Sequence, residues 1–313
     1  MSKVMQAVVL AVVFAMAGAA APAGEKLTFG FSFGQSVHPF FIAMEKGAKG
    51  KCDELGINFT AISAEGKAET QMANIEDMLQ RDIDAILVNP VDSKALVIVA
   101  EEADEKGVPM LTVDVTIENA PLVSHVASDN LEIGRLAARY IAETLLQGKG
   151  GKVAIIDLPI VSSTLDRDKG FNEELKKYPN VEIVAKQSGG HERGKGLDAA
   201  ENILQAKPDI DIIFGVNEAS AMGALSACEA GGFDKIRIVG VDTTPDMLDA
   251  IKQKTQVVAT IAQDPFGMGA TAVELAYKKL NGESVPRDVP VATEVVTIAN
   301  VDSYIAKEAA YLK

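Results

Sequence analysis

The sequence predicts an α/β protein made of two doubly wound parallel-sheet lobes. Short β-branched and aliphatic runs alternate with longer amphipathic stretches along most of the chain, which is typical of βαβ units. Uninterrupted apolar runs such as 85–88 and 153–156 are typical of strands buried on both faces of a parallel sheet. Ten such strands, in two sets of about five, favour two lobes for a chain of 313 residues.

The strands are predicted from short runs bounded by turn residues, in the order 27–33, 57–62, 84–88, 109–113, 122–126, 152–156, 181–186, 211–214, 236–241 and 257–262. The helices between them are predicted from apolar residues that recur at spacings of three and four. In 129–147, for example, Leu131, Leu136, Tyr140 and Leu145 recur every four or five residues between charged residues. The predicted helices are 39–55, 70–81, 93–106, 129–147, 165–177, 195–206, 217–231, 245–253 and 266–281.

Residues 1–23 have the composition of a secretory signal peptide. One Lys precedes an apolar run from Ala7 to Ala17, and small residues lead to an A-x-A cleavage signal at 21–23. We expect cleavage after Ala23 and therefore a periplasmic protein. The apolar run is short for a membrane span, so an uncleaved anchor is the weaker alternative.

Composition excludes several classes of function. Acidic residues outnumber basic ones by 44 to 30, for a net charge of −14, and an acidic chain repels phosphate backbones. We therefore expect no nucleic-acid partner.

A zinc-protease motif that starts at His191 fails because Lys195 stands at the second His position. We expect no metal and no cofactor. For Cys52 and Cys228, which fall on helices of different lobes, two buried free thiols are favoured, although export would permit a disulfide.

Polar residues and two phenylalanines follow the carboxyl ends of strands in both halves of the chain. Ligands of open α/β sheets bind at this edge. The candidates are His38, Phe40, Phe41, Asn89, Asp114, Asn217, Asp242 and Gln263. Amides and carboxylates suit hydroxyl groups and Phe rings cover C–H surfaces, so the set favours a neutral polyhydroxylated ligand. Each residue alone is also typical of a turn, a helix cap or a hydrophobic staple. Only their recurrence at successive strand ends favours a ligand-binding site.

Seven motifs in these loops resemble one family. They are H-P-F-F at 38–41, L-V-N-P-V-D-S at 87–93, V-S-H-V-A-S-D-N at 123–130, R-D-K-G-F at 167–171, N-E-A-S-A-M-G-A-L at 217–225, V-G-V-D-T-T-P-D at 239–246 and A-T-I-A-Q at 259–263. Together they make the chain resemble the periplasmic sugar-binding proteins of the ribose-binding type, which serve ABC importers.

The resemblance implies two lobes that are joined by three hinge crossings, with the ligand clamped between them. The crossings are expected near 128–129, 263–264 and 292–293. The first lobe is then 24–128 with the helix in 264–292 and the tail 293–313, and the second lobe is 129–263.

The resemblance also adds His191 to the pocket, at a position where the second lobe usually offers an aromatic. His38 stands where ribose binders have Asn. Val115 and Leu165 stand where the family has paired arginines that fork onto sugar hydroxyls, and only Arg167 of the Arg-x-Arg pattern remains. A fully hydroxylated ring would leave hydroxyls against apolar carbon. We therefore expect a short polyol or deoxy sugar to bind better than ribose, glucose or galactose.

The sequence thus predicts a monomeric solute receptor that binds a small neutral sugar or polyol and is recognised by the membrane permease of an ABC importer. A receptor for chemotaxis or sensor-kinase signalling is the alternative. A glycosidase that uses Asp114 and Asp242 is disfavoured, because both are better explained as acceptors for hydroxyls. A sugar-responsive repressor would need an N-terminal helix-turn-helix where the signal peptide stands.

Overall fold

The computed structural model of the protein describes residues 26–311, so the predicted signal peptide lies outside the described residues. The strands are β1 (Thr28–Phe33), β2 (Asn58–Ser63), β3 (Ala85–Val88), β4 (Met110–Val113), β5 (Ser124–Ser128), β6 (Gly151–Asp157), β7 (Val181–Ser188), β8 (Ile212–Gly215), β9 (Arg237–Val241), β10 (Val257–Ala262), β11 (Asp288–Val291) and β12 (Glu294–Thr297). The helices are α1 (Pro39–Leu55), α2 (Ala68–Leu79), α3 (Val97–Glu105), α4 (Asn130–Arg139), α5 (Ser162–Leu175), α6 (Arg193–Ala206), α7 (Glu218–Gly231), α8 (Pro245–Lys252), α9 (Pro265–Leu280) and α10 (Val301–Tyr311). A π-helical segment, Tyr140–Leu145, continues α4.

The strands form two six-stranded sheets, which confirms the predicted fold class. The first sheet has the order β11-β5-β4-β3-β1-β2 and the second has the order β12-β10-β9-β8-β6-β7. All neighbouring strands are parallel except β12, which runs antiparallel to β10. The first five strands of each lobe occupy equivalent places, so that β3 and β4 correspond to β8 and β9. Residues at the ends of these strands therefore occupy matching positions in the two lobes.

Helices pack against both faces of each sheet and bury four apolar clusters. In the first lobe one cluster includes Met44 of α1 and Met268 of α9, and the other includes Ile75 of α2 and Val99 of α3. In the second lobe α4 and α5 cover one face, while α6, α7, α8 and α10 cover the other. Each lobe has its own core, which is typical of separate domains, and Val115 of the first lobe joins the cluster under α4 and α5 of the second.

Helix α1 shows why the chain forms its elements at these places. Its N-cap residue, His38, accepts a hydrogen bond from Phe40 N at Nδ1 (3.2 Å), and Pro39 has the backbone angle that a first helical residue needs. Gly56 ends the helix in a left-handed conformation (φ 73°) and donates to Cys52 O and Asp53 O. The observed bounds are those predicted from the sequence.

The chain passes between the sheets three times. It leaves the first sheet after β5, returns to it through α9, which packs on α1, and leaves again between β11 and β12. The prediction that the tail 293–313 belongs to the first lobe is wrong. Residues 294–297 pair with β10 and α10 packs against α8, so the described part of the tail completes the second lobe.

The two cysteines are free and buried, as predicted. Burial raises the pKa of Cys52, in α1, to about 12 and that of Cys228, in α7, to about 11. A low thiolate fraction makes both side chains poor nucleophiles.

Within residues 26–311, no helix is both long enough and apolar enough to cross a membrane. The same residues contain no group of three or more His, Cys, Asp or Glu side chains that could hold a metal ion.

The contact between α1 and α9 depends on glycine. A Cβ at Gly47 would overlap the carbonyl oxygen of Phe266, and a Cβ at Gly269 would overlap that of Met44. The helices approach closely enough that a methyl group on either one would force their backbones apart.

We expect Gly47→Ala to lower the free energy of unfolding by roughly 1–3 kcal/mol, because the helix backbones must separate. Gly50, in the same helix, has open space around its Cα, so Gly50→Ala is the matched control and should stabilise by up to about 1 kcal/mol through helix propensity. Urea unfolding of both variants measures the difference. Equal stabilities would contradict the close packing of α1 and α9.

Candidate functional site

The carboxyl ends of both sheets face one cleft between the lobes. The structure places all nine residues predicted from the sequence around it: His38, Phe40, Phe41, Asn89, Asp114, His191, Asn217, Asp242 and Gln263. The first five come from the first lobe and the next three from the second. Gln263 lies at the crossing between β10 and α9.

The two lobes contribute matching pairs of side chains. Asn89 and Asp114 follow β3 and β4, and Asn217 and Asp242 follow the equivalent strands β8 and β9. Both aspartates have left-handed backbones, with φ 67° at Asp114 and 82° at Asp242. Asp and Asn adopt this conformation more readily than other residues with a Cβ. The sharp turn after each strand therefore selects these residue types at the cleft.

In the first lobe, Asn89 fixes the orientation of Asp114. Its Nδ2 donates to Val113 O (3.0 Å) and to Asp114 Oδ2 (3.3 Å), and its Oδ1 accepts from Gly34 N (3.3 Å). Asn89 is only 1 % exposed. Since these bonds occupy both ends of the amide, Asn89 serves mainly to hold the carboxylate, and the other oxygen of Asp114 is left to face a ligand.

In the second lobe, Asp242 accepts from Gln263 Nε2 (2.6 Å) and from the amide of Glu218 (3.1 Å). Asp114 Oδ1 and Gln263 Oε1 are buried and have no hydrogen-bond partner among the described residues. Buried acceptors without partners are costly and rare in folded proteins. Asp114 and Gln263 both line the cleft, so these two atoms are candidate acceptors for a molecule bound there.

Asn217 combines a cap with a place at the cleft. Its Oδ1 accepts from Ser220 N (2.8 Å) and caps α7, and its Nδ2 donates to Gly190 O at 3.4 Å. Asn217 is therefore both a helix cap, which was the alternative interpretation, and a residue that lines the cleft. Replacement of Asn217 by Ala would therefore destabilise α7 as well as change the cleft.

Arg167 lines the cleft, although we did not include it among the candidate residues. It is 3 % exposed, and its guanidinium donates to Asn130 Oδ1 (2.8 Å) and to Val216 O (2.8 Å). Leu165, by contrast, is 42 % exposed and is not among the residues that line the cleft. Residues two apart in a helix face different directions. The expectation that Leu165 removes an arginine from the pocket is therefore wrong.

Val115 does line the cleft and is 4 % exposed. Its side chain belongs to the apolar cluster that includes Leu158 and Val161 of the second lobe. The wall therefore offers no hydrogen-bond donor at this position, as the sequence predicted.

Phe40, Phe41 and His38 form an aromatic corner on the first lobe. The rings of Phe40 and Phe41 meet edge to face with centroids 5.6 Å apart, and the His38 ring lies 5.4 Å from Phe41. Phe40 also packs into the core beneath. The corner is rigid, and it presents apolar surface beside the polar groups of the cleft.

Glu218 is a second cleft residue that was not among the candidates, although it directly follows Asn217. His38 Nε2 of the first lobe lies 3.9 Å from Glu218 Oε2 of the second lobe, and Arg193 forms an ion pair with the same carboxylate. Burial raises the pKa of Glu218, but the nearby His38 ring and the Arg193 guanidinium outweigh burial and hold the pKa below its usual value. This pairing links the lobes at the edge of the cleft.

Asp114 has the most perturbed carboxylate of the cleft. Burial raises its pKa from 3.8 to about 6; the charge of Arg167 opposes the rise, that of Asp242 adds to it, and the hydrogen bond from Asn89 opposes it. A strongly shifted pKa in a cleft is typical of functional sites.

Two lobes with a polar cleft between them define a clamp-type binding protein. The comparisons agree, since the family model of the periplasmic binding protein domain matches residues 29–284. The chain is 35% identical over 274 residues to the ribose import binding protein of Bacillus subtilis (strain 168), covering 87% of this chain and 88% of that protein. The chain therefore belongs to the family of periplasmic binding proteins.

More distant relatives share the fold over most of the chain. The xylitol-binding protein of Mycolicibacterium smegmatis is 28% identical over 77% of this chain and 68% of its own length. An ABC transporter solute binding protein from Bacillus halodurans C-125, solved with bound myo-inositol, superposes with a TM-score of 0.83 at 29% identity, covering 90% of this chain and 98% of that one.

We expect Asp114→Asn to stabilise the protein without added sugar by up to about 3 kcal/mol at about pH 8, because the raised pKa makes the ionised form costly. The folded protein retains a proton that the unfolded chain releases between about pH 4 and 6, so this stability is lost as the pH rises through that window. The gain from Asn should therefore shrink below about pH 4. Asn also suits the left-handed backbone.

Urea unfolding from about pH 4 to 8 measures this effect. Asp53→Asn, on the exposed face of α1, is the control. A stability difference between wild type and Asp114→Asn that does not change with pH would contradict the shifted pKa.

Proposed function

We propose that this protein is exported to the periplasm, binds a small neutral sugar or polyol in the cleft and delivers it to the membrane permease of an ABC importer. The observation that carries this proposal is the pair of buried acceptors, Asp114 Oδ1 and Gln263 Oε1, that have no partner among the described residues. A ligand that donates hydrogen bonds to both would satisfy them.

The chemistry of the cleft favours hydroxyl groups. A hydroxyl donates one hydrogen bond and accepts others, so it suits the mixture of carboxylates, amides and the Arg167 guanidinium found here. The aromatic corner of Phe40 and Phe41 can cover the C–H face of the same molecule. A fully apolar ligand would leave the buried acceptors without partners, at a cost for each one.

The relatives support the same class of ligand. They are a ribose import binding protein, a xylitol-binding protein and a solute binding protein solved with myo-inositol, and these three compounds are all small, neutral and polyhydroxylated. Residues from both lobes line the cleft of this chain, so a ligand between them favours the arrangement in which the lobes are close. A permease that recognises this arrangement would then distinguish the loaded receptor.

Val115 supports a preference within this class. A ring sugar holds its hydroxyls in fixed directions, and one that faces Val115 would lose its partner in water without gaining another. An acyclic polyol can rotate its hydroxyls toward Asp114 and Gln263 instead. We therefore propose that a short polyol binds more tightly than D-ribose, with Arg167 serving as the remaining charged donor of the cleft.

A thermal-shift screen of the mature protein with D-ribose, D-glucose, D-galactose, xylitol and myo-inositol tests the proposal. We expect xylitol to raise the melting temperature more than the ring sugars, because a ligand stabilises the state that it binds. Asp114→Asn should weaken that binding by roughly 1.5–3 kcal/mol, through loss of a charged acceptor, and Asp53→Asn should not. No shift with any of the five compounds would contradict the proposed class of ligand.

Val115→Thr tests the preference between ring sugars and polyols. The two side chains have nearly the same shape, and the added hydroxyl gives the wall a donor and an acceptor. We expect the affinity for D-ribose to improve by roughly 0.5–1.5 kcal/mol relative to xylitol. Titration calorimetry with both compounds measures this ratio. A ratio that does not change would show that Val115 does not select the ligand.

A further inference from the structure

Helix α5 of the second lobe begins without a cap from its own lobe. Its N-cap residue is Val161, and no side chain at this position accepts a hydrogen bond. The helices α4, α7, α8 and α9 are capped by the side chains that precede them: Asp129, Asn217, Thr244 and Asp264. Since the first amides of a helix have no partner within it, the amide of Ser162 needs one from elsewhere.

That partner comes from the first lobe. Ser162 N donates to Ser93 Oγ at 2.9 Å, and Thr116 N donates to Ser162 Oγ at 3.2 Å. Ser93 follows β3 and Thr116 follows β4, whereas Ser162 is the first residue of α5. Two hydrogen bonds of opposite direction thus connect the lobes at a single residue.

The loop that carries Ser93 is held by its own lobe. Ser93 O accepts from Glu118 N at 2.7 Å, and Asp92 Oδ1 accepts from the two amides that follow Ser93. Ser93 is 2 % exposed. Because the loop is fixed within the first lobe, its hydroxyl reaches Ser162 only when the lobes are as close as they are here.

None of these three residues lines the cleft, although the residues next to Thr116 and Ser162, which are Val115, Val161 and Ser163, do. Ser93, Thr116 and Ser162 are therefore placed to affect binding through the distance between the lobes rather than by contact with a ligand.

We propose that Ser93 is a positioning residue for ligand capture, which caps α5 across the lobe junction and stabilises the closed arrangement. Opening the lobes returns the amides of Ser162 and Thr116 to water and removes the cap. The apparent dissociation constant rises as the closed population falls. This inference rests on the proposed function for its effect on binding, whereas the effect on lobe distance is independent of it.

The test measures the distance between the lobes without any added sugar. Dyes are attached at Glu69→Cys in α2 and Asp198→Cys in α6, both exposed positions, and single-molecule energy transfer gives the populations of short and long distances. The native thiols, Cys52 and Cys228, are buried and have raised pKa values, so they should not react with the dyes.

Ser93→Ala should shift the population toward the long distance and weaken binding of xylitol and D-ribose by roughly three- to tenfold. Ser162→Ala, which loses only the bond from Thr116, should act in the same direction with a smaller effect. Ser226→Ala is the matched control, because its hydroxyl bonds to Met222 O within α7.

If both variants keep the wild-type distance distribution, the proposal is overturned. A wild-type chain with no short-distance population would also overturn it. If no sugar or polyol binds even the wild type, the proposed function fails, and the distance measurement still decides whether Ser93 acts as a cap across the junction.

Discussion

The arrangement of the site depends on the hydrogen bonds that converge on Asp242. Its carboxylate accepts from Gln263 and from the amide of Glu218, its carbonyl accepts from Thr260 Oγ1 at 2.6 Å, and its own amide donates to Ile261 O. These bonds connect the end of β9, the start of α7 and the crossing after β10. A single aspartate therefore sets the distance between one wall of the cleft and the hinge, and a rotation of its side chain would displace both.

The first lobe uses the equivalent aspartate differently. Asp114 is held on one side by Asn89, and its other oxygen has no partner among the described residues, whereas both oxygens of Asp242 are bonded within the chain. The same strand end thus gives a fully bonded carboxylate in one lobe and, in the other, a carboxylate with a free oxygen that we propose accepts from the ligand. Both sit in left-handed turns, which cost stability and are typical of functional sites.

Much of this architecture could be predicted from the sequence because its signals are local. All ten predicted strands occur within two residues of their expected bounds. Helix α1 has its predicted bounds because Pro39 marks its start. The strands β11 and β12 were missed because each has only four residues, several of them exposed, and β11 contains Pro290. The tail was assigned to the wrong lobe because β12, which pairs it with the second sheet, has no sequence pattern that indicates a strand.

The sequence placed at the cleft the residues that follow strand ends and those at the start of α1, but the candidates did not include Arg167 in α5 or Glu218 at the start of α7. The resemblance identified Arg167 as a remaining arginine, but the direction in which residues 165 and 167 point depends on how α5 sits against the second lobe. That orientation depends on tertiary packing of α5 against α4, including contact between Gly134 and the Arg167 backbone. Glu218 was missed because its partners, His38 and Arg193, come from distant parts of the chain.

The three crossings also constrain the order in which the chain can fold. The first lobe needs α9 against α1 and β11 beside β5, and the second needs β12 beside β10, so each is completed by a segment from the far end of the chain. The contacts that complete the first lobe join residues far apart in the sequence and form slowly, because the loop between them must close first. Neither lobe is complete until nearly the whole chain has been synthesised. For the export proposed above, this order of folding means that both lobes are still incomplete while the chain is being made.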